Sequence, residues 1–135
     1  MTRFAYLLVA GVAAFAAGTA SAQTGGDDAK RLTAEEVKAL RGDNTLSIEA
    51  GGRSGAGFWK ADGTVSYKSD SGYVQSKGTF QVTEDGRTCV KWENPQMKSR
   101  CVFTQKDGDA YQEIEEDGSK GPKIVKVVPG NQRGL

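Results

Sequence analysis

Turn signals built from Gly, Asp, Asn and Pro interrupt this 135-residue chain at short, regular intervals after Gly42. They are Gly51-Gly52, Asp62-Gly63, Asp70-Ser71-Gly72, Asp85-Gly86, Asn94-Pro95, Asp107-Gly108 and Asp117-Gly118. Gly and Asp tolerate the positive backbone φ angles that tight hairpin turns require. A spacing of about 8–12 residues between such signals is typical of all-β proteins. We therefore expect the chain after Gly42 to fold as successive antiparallel hairpins.

The segments between the turns are short and rich in β-branched and aromatic residues, as strands are. The predicted strands are Thr45–Ala50, Ala56–Ala61, Thr64–Ser69, Tyr73–Lys77, Thr79–Glu84, Thr88–Glu93, Ser99–Gln105, Ala110–Glu115 and Pro122–Val128. Tyr73–Glu84 can also form one long strand bent at Gly78, which leaves about eight strands. A meander of antiparallel strands avoids exposed edges best by closing on itself. We therefore predict an all-β fold, a small barrel or strongly curved sheet, with an open β-sandwich as the alternative.

One short helix is predicted before the strands. Thr33 and Glu36 have the spacing of a capping box, in which each side chain accepts a hydrogen bond from the other residue's backbone. Val37 and Leu40 share one helix face, which we expect to pack on the sheet as a lid or plug. Gly42 is expected to end the helix at the position that favours a left-handed backbone.

Residues 1–22 have the pattern of a cleaved secretory signal peptide. Arg3 supplies the positive charge, Phe4–Ala17 the short apolar stretch, and Ala20-Ser21-Ala22 the small residues that signal peptidase recognises. The apolar stretch is shorter than the roughly 20 residues of a transmembrane helix. We predict cleavage between Ala22 and Gln23, and a periplasmic or secreted protein with no stable membrane anchor. The rest divides into a flexible lead-in at 23–31, one β-rich domain at 32–130 and a tail at 131–135.

Cys89 and Cys101 lie on the two strands of one predicted hairpin, folded about Pro95. Folding the chain there places the two Cys opposite each other, at a Cα separation that a disulfide tolerates. Export would place the pair in an oxidising compartment. We therefore predict a Cys89–Cys101 disulfide.

The same hairpin carries cations beside an aromatic residue. Strand alternation puts Lys98 and Arg100 on the face that carries Trp92. We expect the two cations to reach solvent, with cation–π stacking on Trp92 as the alternative.

The composition excludes several kinds of activity. The chain has no His, so it has no Ser-His-Asp triad, no histidine general base and no His-based zinc site. Its two Cys cannot form a zinc finger or hold an iron–sulfur cluster. A net charge of +1 gives no general case for binding nucleic acid. We predict no enzyme activity, no metal and no cofactor.

An acidic run, Glu113, Glu115, Glu116 and Asp117, ends at a predicted turn. Paired carboxylates can act as general acid and base, but a perturbed acid needs burial or a charged partner. We expect a solvated hairpin face, with Glu113 or Glu115 paired across strands to Lys123 or Lys126.

The order of elements resembles that of small exported bacterial proteins grouped as domain of unknown function 995. The residues that carry the resemblance are Phe58-Trp59-Lys60-Ala61-Asp62-Gly63-Thr64, Lys77-Gly78-Thr79-Phe80, Thr88-Cys89-Val90-Lys91-Trp92 and a second Cys about ten residues later. The resemblance runs from about Leu32 to Val128 and implies a periplasmic or secreted β-domain without catalytic residues. A weaker similarity relates Ser54-Gly55-Ala56-Gly57-Phe58 to a Ser-Gly loop of periplasmic lysozyme inhibitors, with Phe58 where those favour Tyr.

Two functions follow as expectations. The first is a non-enzymatic exported binding module for an unknown small molecule, glycan or periplasmic protein. The alternative is a periplasmic inhibitor of a cell-wall hydrolase that uses the flexible Gly51–Gly57 connection. The candidate interaction residues are Ser54, Phe58, Trp59, Trp92 and Arg100.

Adjacent strand residues face opposite sides, so either Phe58 or Trp59 must point outward. Our hypothesis is that Trp59 points outward and anchors a partner. The alternative is that Trp59 packs under the helix and Phe58 points outward.

Overall fold

A computed structural model describes residues 30–135. The predicted signal peptide, its cleavage site between Ala22 and Gln23, and most of the lead-in lie outside these residues. The described chain contains one helix, α1 (Ala34–Arg41), followed by eight strands. The strands are β1 (Asn44–Ala50), β2 (Arg53–Trp59), β3 (Thr64–Ser69), β4 (Gln75–Val82), β5 (Thr88–Trp92), β6 (Arg100–Asp107), β7 (Ala110–Glu115) and β8 (Lys120–Pro129).

The eight strands form a closed barrel in which each strand pairs antiparallel with its neighbours in sequence and β8 pairs with β1. Closure gives every strand a neighbour on both sides, which is the physical reason for expecting a barrel from a meander of this length. The part of β6 that extends beyond β5 pairs with Arg31 through Gln105. The predicted all-β barrel is confirmed, and the open sandwich is wrong.

The helix begins as predicted. The Glu36 backbone N–H donates to Thr33 Oγ1 at 3.2 Å, and the Thr33 backbone N–H donates to Glu36 Oε1 at 3.0 Å. Its end differs from the prediction, because Gly42 is extended with φ −75° and Asp43 takes the positive φ of 59°. The Asn44 side-chain amide donates to the Leu40 carbonyl at 2.9 Å, which caps the helix without a left-handed Gly.

The β3–β4 hairpin follows the alternative prediction of one strand through Gly78, which covers Gln75–Val82 rather than Tyr73–Glu84. Tyr73–Lys77 is not a separate strand, and β4 runs unbroken through Gly78. The hydroxyls of Ser69 and Ser71 accept hydrogen bonds from the backbone N–H groups of Val74 and Tyr73, at 3.0 and 3.2 Å. These bonds hold Tyr73 in the turn, where it is 91% exposed.

The glycine-rich segment Gly51–Gly57 is not a flexible connection. Gly51 and Gly52 form a tight turn with φ angles of 56° and 79°, and β2 begins directly after it. Gly55 and Gly57 pair within the sheet, opposite Ile48 and Leu46 of β1. The expected loop is therefore wrong, because these glycines serve strand packing.

Helix α1 closes the end of the barrel at which β1 begins, called here the closed end. Val37 and Leu40 are buried, and Leu40 packs against a core that includes Leu46, Trp59 and Val65. The predicted plug role of the helix is confirmed. At the other end, called here the open end, the hairpin turns β1–β2, β3–β4, β5–β6 and β7–β8 surround the barrel interior.

The cysteine hairpin forms as predicted. Cys89 lies directly opposite Cys101 in the β5–β6 ladder, with Val90 opposite Arg100. The two Cys form a disulfide, and their Cα atoms are 3.9 Å apart.

Within residues 30–135, no helix is both long enough and apolar enough to cross a membrane.

Candidate functional site

A cavity of about 380 Å³ occupies the barrel interior below the open end. Three aromatic side chains line it: Trp59, Tyr67 and Trp92. Four cationic side chains, Arg41, Arg53, Lys98 and Arg100, and one carboxylate, Glu113, also face it. The site therefore combines an apolar wall with a small number of charged groups, the composition expected of a small-molecule pocket.

Glycines make room for the aromatic rings. A Cβ atom at Gly55 would overlap the Tyr67 hydroxyl, and one at Gly57 would lie 2.9 Å from Trp59 Nε1. A Cβ atom at Gly78 would lie 3.1 Å from Trp92 Cε3 and 2.5 Å from the Lys91 carbonyl oxygen. Because the rings lie against these bare stretches of backbone, the centre of the barrel stays open.

The rings contact one another at steep angles. The centroids of Trp59 and Trp92 are 6.3 Å apart with planes at 73°, and those of Tyr67 and Trp92 are 6.1 Å apart at 64°. Edge-to-face contacts of this kind stabilise aromatic clusters. Burial raises the pKa of Tyr67 above its ordinary value of 10.0, and the nearby charge of Asp70 raises it further. Tyr67 is therefore a neutral wall of the cavity at physiological pH.

Arg41 forms the charged floor of the cavity. Only 1% of it is exposed, although it is the last residue of α1. Its Nη2 donates to Glu113 Oε1 at 2.7 Å and its Nε donates to Thr88 Oγ1 at 3.0 Å. Its guanidinium carbon lies 4.1 Å from the centroid of the Trp59 ring. The ion pair, the hydroxyl and the ring face together compensate for burying this cation.

Arg100 extends the charged network toward the open end. Its Nε lies 3.1 Å from Glu115 Oε1, and its Nη2 lies 3.6 Å from Glu113 Oε2. The expectation that Arg100 reaches solvent is wrong: its side chain is 27% exposed and held by two carboxylates. Val102 faces the barrel interior, and Arg100 lies two residues before it on the same strand, so Arg100 faces inward as well. Glu113 and Glu115 are the acceptors within its reach.

The acidic run is a solvated face at Glu116 and Asp117, which are exposed, and not at Glu113 and Glu115. Glu113 is 6% exposed, and both Glu113 and Glu115 pair with arginines rather than with Lys123 or Lys126. In the β6–β7 ladder Glu115 lies opposite Val102, which lines the cavity, and Glu113 lies two residues before it on the same inner face. Lys123 Nζ instead lies 3.2 Å from Asp107 Oδ2.

Two cations stand at the rim of the open end. Arg53 begins β2, and Lys98 lies in the loop before β6. Both are exposed, and both border the cavity. Because β2 and β6 are four strands apart in a closed barrel of eight, the two cations face each other across the opening. The loop that carries Lys98 also contributes Gln96 and Met97 to the cavity lining.

The structure brings Trp59, Trp92 and Arg100 together in this cavity and leaves Ser54 and Phe58 outside it. The hypothesis that Trp59 points outward is wrong, since it is 8% exposed and packs under the helix. Phe58 points outward, with Lys60 Nζ 5.9 Å from its ring centroid. Ser54 Oγ donates to Asp70 Oδ2 at 2.6 Å on the outer surface.

Five charged or aromatic residues of the site are absent from the candidate interaction residues predicted from the sequence: Arg41, Arg53, Tyr67, Lys98 and Glu113. The sequence could have predicted that Arg41 is buried, because it follows Val37 by four positions and so lies on the same helix face. Glu113 alternates with Tyr111 in β7, but only the pairing of β7 with β6 shows that this face is the inner one. Tyr67 had no local signal, because its position depends on Gly55 of the neighbouring strand.

The fold and the cavity define a class: a small antiparallel meander barrel, closed at one end by a helix and holding an internal pocket at the other. Comparison with known proteins finds no family model, no curated protein and no solved structure that matches this chain. Within residues 30–135, no group of three or more acidic or Cys side chains is placed to hold a metal ion.

Proposed function

We propose that this protein is a non-enzymatic, exported binding module that holds a small molecule inside its barrel. The observation that carries the proposal is the cavity of about 380 Å³, closed below by Arg41 and open at the other end. Pockets for small ligands span about 300–1,000 Å³ and are mostly apolar with a few placed polar groups.

The position of the aromatic residues favours a small molecule over a protein or a long glycan. Protein partners are recognised by aromatic anchors that can enter a pocket or groove on the other surface. Trp59 is 8% exposed and lies inside the barrel, so it can contact only a ligand that enters the cavity.

The contacts that the two carboxylates make with arginines support a binding role over a catalytic one. Glu113 is held by Arg41 at 2.7 Å, and Glu115 is held by Arg100 at 3.1 Å. A general acid or base must reach the reacting group, and both oxygens of Glu113 and one oxygen of Glu115 already contact arginine nitrogens.

The hydrolase-inhibitor alternative depended on a flexible loop from Gly51 to Gly57. That segment is a tight turn followed by strand β2. The structure therefore offers no flexible loop there for insertion into a hydrolase, and the inhibitor function stays a prediction. The resemblance to domain of unknown function 995 stays a prediction, and it agrees with the proposal in implying an exported β-domain.

A fluorescence titration tests the binding role. The neutral probe N-phenyl-1-naphthylamine should bind and brighten, because it is apolar and enters an aromatic cavity. Ala50 is exposed and borders the open end, so Ala50→Trp should obstruct entry and abolish binding. Ala61→Trp adds the same side chain at an exposed position beyond β2, outside the cavity lining, and should bind the probe normally. Equal probe binding by both variants would contradict the proposal.

The export part of the proposal is supported by the Cys89–Cys101 disulfide, because such bonds persist in oxidising compartments. The intact mass of protein from the cell envelope should correspond to a chain beginning at Gln23. A mass that retains residues 1–22 would contradict cleavage.

A further inference from the structure

The charges around the cavity are not balanced. Four cationic side chains line it, and they meet the carboxylates of Glu113, which also lines it, and of Glu115 behind Arg100. Arg41 and Glu113 form a close pair at the floor, and Arg100 is shared between Glu113 and Glu115. Among the side chains that line the cavity, the positive charge in excess therefore lies at the open end, on Arg53 and Lys98, with Asp117 of the β7–β8 turn as an acidic neighbour of Lys98.

The apolar and charged parts of the site are separated along the barrel axis. The rings of Trp59, Tyr67 and Trp92 lie below the rim, and the exposed cations, Arg53 and Lys98, stand around it. The floor cation is already satisfied by Glu113 and Thr88. A ligand with an apolar body would bury that body among the rings and leave its polar group at the rim.

A cationic ligand fits this site poorly, although three aromatic rings can form a cage for a quaternary ammonium group. Arg41 already occupies the face of Trp59, with its guanidinium carbon 4.1 Å from the ring centroid. Arg53 and Lys98 would also repel a second cation as it entered.

We propose that the ligand is a small organic anion, whose apolar body lies among Trp59, Tyr67 and Trp92 and whose acidic group lies between Arg53 and Lys98. This inference rests on the proposed binding function and deepens it by naming the ligand class. Arg100, just inside the rim, orients the acidic group through its remaining guanidinium hydrogens.

Two probes with the same rings test the charge requirement. 1-Anilinonaphthalene-8-sulfonate is N-phenyl-1-naphthylamine with one added sulfonate. We expect the sulfonate to bind about three- to tenfold more tightly at low salt, because exposed ion pairs contribute modestly. The advantage should shrink as the salt concentration rises, because exposed charges are screened.

Charge-removing variants locate the effect. Arg53→Gln combined with Lys98→Gln should remove the advantage of the sulfonate and leave the affinity for the neutral probe unchanged. The matched control combines Lys91→Gln with Lys126→Gln, which removes the same charge from exposed positions opposite Thr79 and Ser47 on the outer face. The control should keep the advantage of the sulfonate.

Each other outcome has a distinct meaning. Equal affinity of the native protein for the two probes would overturn the anion proposal and leave the binding function intact. Loss of the advantage in the control pair as well would show a general charge effect, and would overturn the assignment to Arg53 and Lys98. Binding of neither probe would overturn the proposed function itself.

Discussion

At the scale of single residues, the interior is organised by a buried charge. Arg41 is 1% exposed and Glu113 is 6% exposed, and their side chains meet at 2.7 Å across 72 positions of sequence. Burying both ions costs desolvation energy, so such a pair contributes little net stability compared with apolar residues. Removing one partner is different, because the other is left as an uncompensated buried charge. The pair thus fixes where α1 closes the barrel.

Glu113→Gln should lower the free energy of unfolding by about 3–5 kcal/mol, because Arg41 would stay buried without its counter-charge. Urea unfolding at neutral pH measures the change. The matched control is Glu116→Gln, because Glu116 is 63% exposed and pairs with Arg87 at 3.6 Å. The control should cost less than about 1 kcal/mol. Equal losses in the two variants would show that the buried pair has no special role.

Asp70 gives a prediction about acid stability. The hydroxyl of Ser54, and after it Arg133, lower the pKa of Asp70 below its ordinary value of 3.8. A carboxyl with a lowered pKa stabilises the fold above that ordinary value, and the contribution is lost as pH falls through the folded-state pKa. Ser54→Ala should therefore raise the pKa of Asp70 toward 3.8, and should make stability less dependent on pH below that value.

Carboxyl-carbon NMR titration measures this pKa directly. Ser47→Ala, on the outer face of β1, serves as the control and should leave the titration of Asp70 unchanged. An unchanged pKa in Ser54→Ala would mean that the hydroxyl does not hold the carboxylate in solution.

At the scale of elements, strands β2 and β4 place glycines, which have no side chain, against the aromatic rings of the cavity. Gly57 lies beside Trp59 of its own strand, and Gly78 pairs directly opposite Trp92 of β5. A side chain on either strand would push a ring into the space that the cavity occupies. The cavity is therefore a property of glycine placement as much as of the aromatic residues.

Gly78→Ala should lower the free energy of unfolding by about 1–3 kcal/mol, the usual cost of overpacking. The added Cβ would lie 2.5 Å from the Lys91 carbonyl oxygen, and backbone cannot move away cheaply. Gly121→Ala is the matched control, because its nearest neighbour at 2.9 Å is Glu115 Oε1, a side-chain atom that can move away at the cost of its contact with Arg100. Thermal or urea unfolding of both variants measures the difference. A cost for Gly78→Ala no larger than that for Gly121→Ala would contradict the packing argument.

The β5–β6 hairpin is cross-linked, and its contribution can be measured. Cys89→Ser should lower the free energy of unfolding by about 2–4 kcal/mol, because the disulfide restricts the unfolded chain. The test is urea unfolding of the native protein with and without reductant, with the variant expected to match the reduced form. If reduction does not move the unfolding midpoint of the native protein, the cross-link does not contribute to stability.

Sequence patterns predicted the elements better than the site. The capping box of Thr33 and the turn signals depend on neighbours a few residues apart, so α1 and the order of the strands could be derived. Cys89 could be paired with Cys101 because one hairpin fixes their register. Arg41 and Glu113 could not be paired, because their contact depends on the helix closing the barrel. Gly55 was expected to lie in a flexible loop, because the local sequence does not show that Tyr67 of the neighbouring strand packs against it.

At the scale of the whole molecule, the two ends of the barrel differ in the backbone hydrogen bonds that hold the flanking chain segments. At the closed end, the Leu32 backbone N–H donates to the Thr104 carbonyl, and that of Gly130 donates to the Asp43 carbonyl, both at 2.8 Å. Both ends of the β-domain are thus attached beside the plug. The open end is bordered by hairpin turns, so ligand entry requires no change in the barrel or the helix.

The central claim is that a small molecule binds inside the barrel, and two-dimensional NMR tests it most directly. The chain has two Trp residues, Trp59 and Trp92, and both line the cavity, so the spectrum has two indole N–H signals. On addition of N-phenyl-1-naphthylamine, both signals should shift together, and the amide of outward-facing Phe58 should move less. Shifts confined to outer-face amides, with both indole signals unmoved at saturating probe, would contradict binding within the barrel.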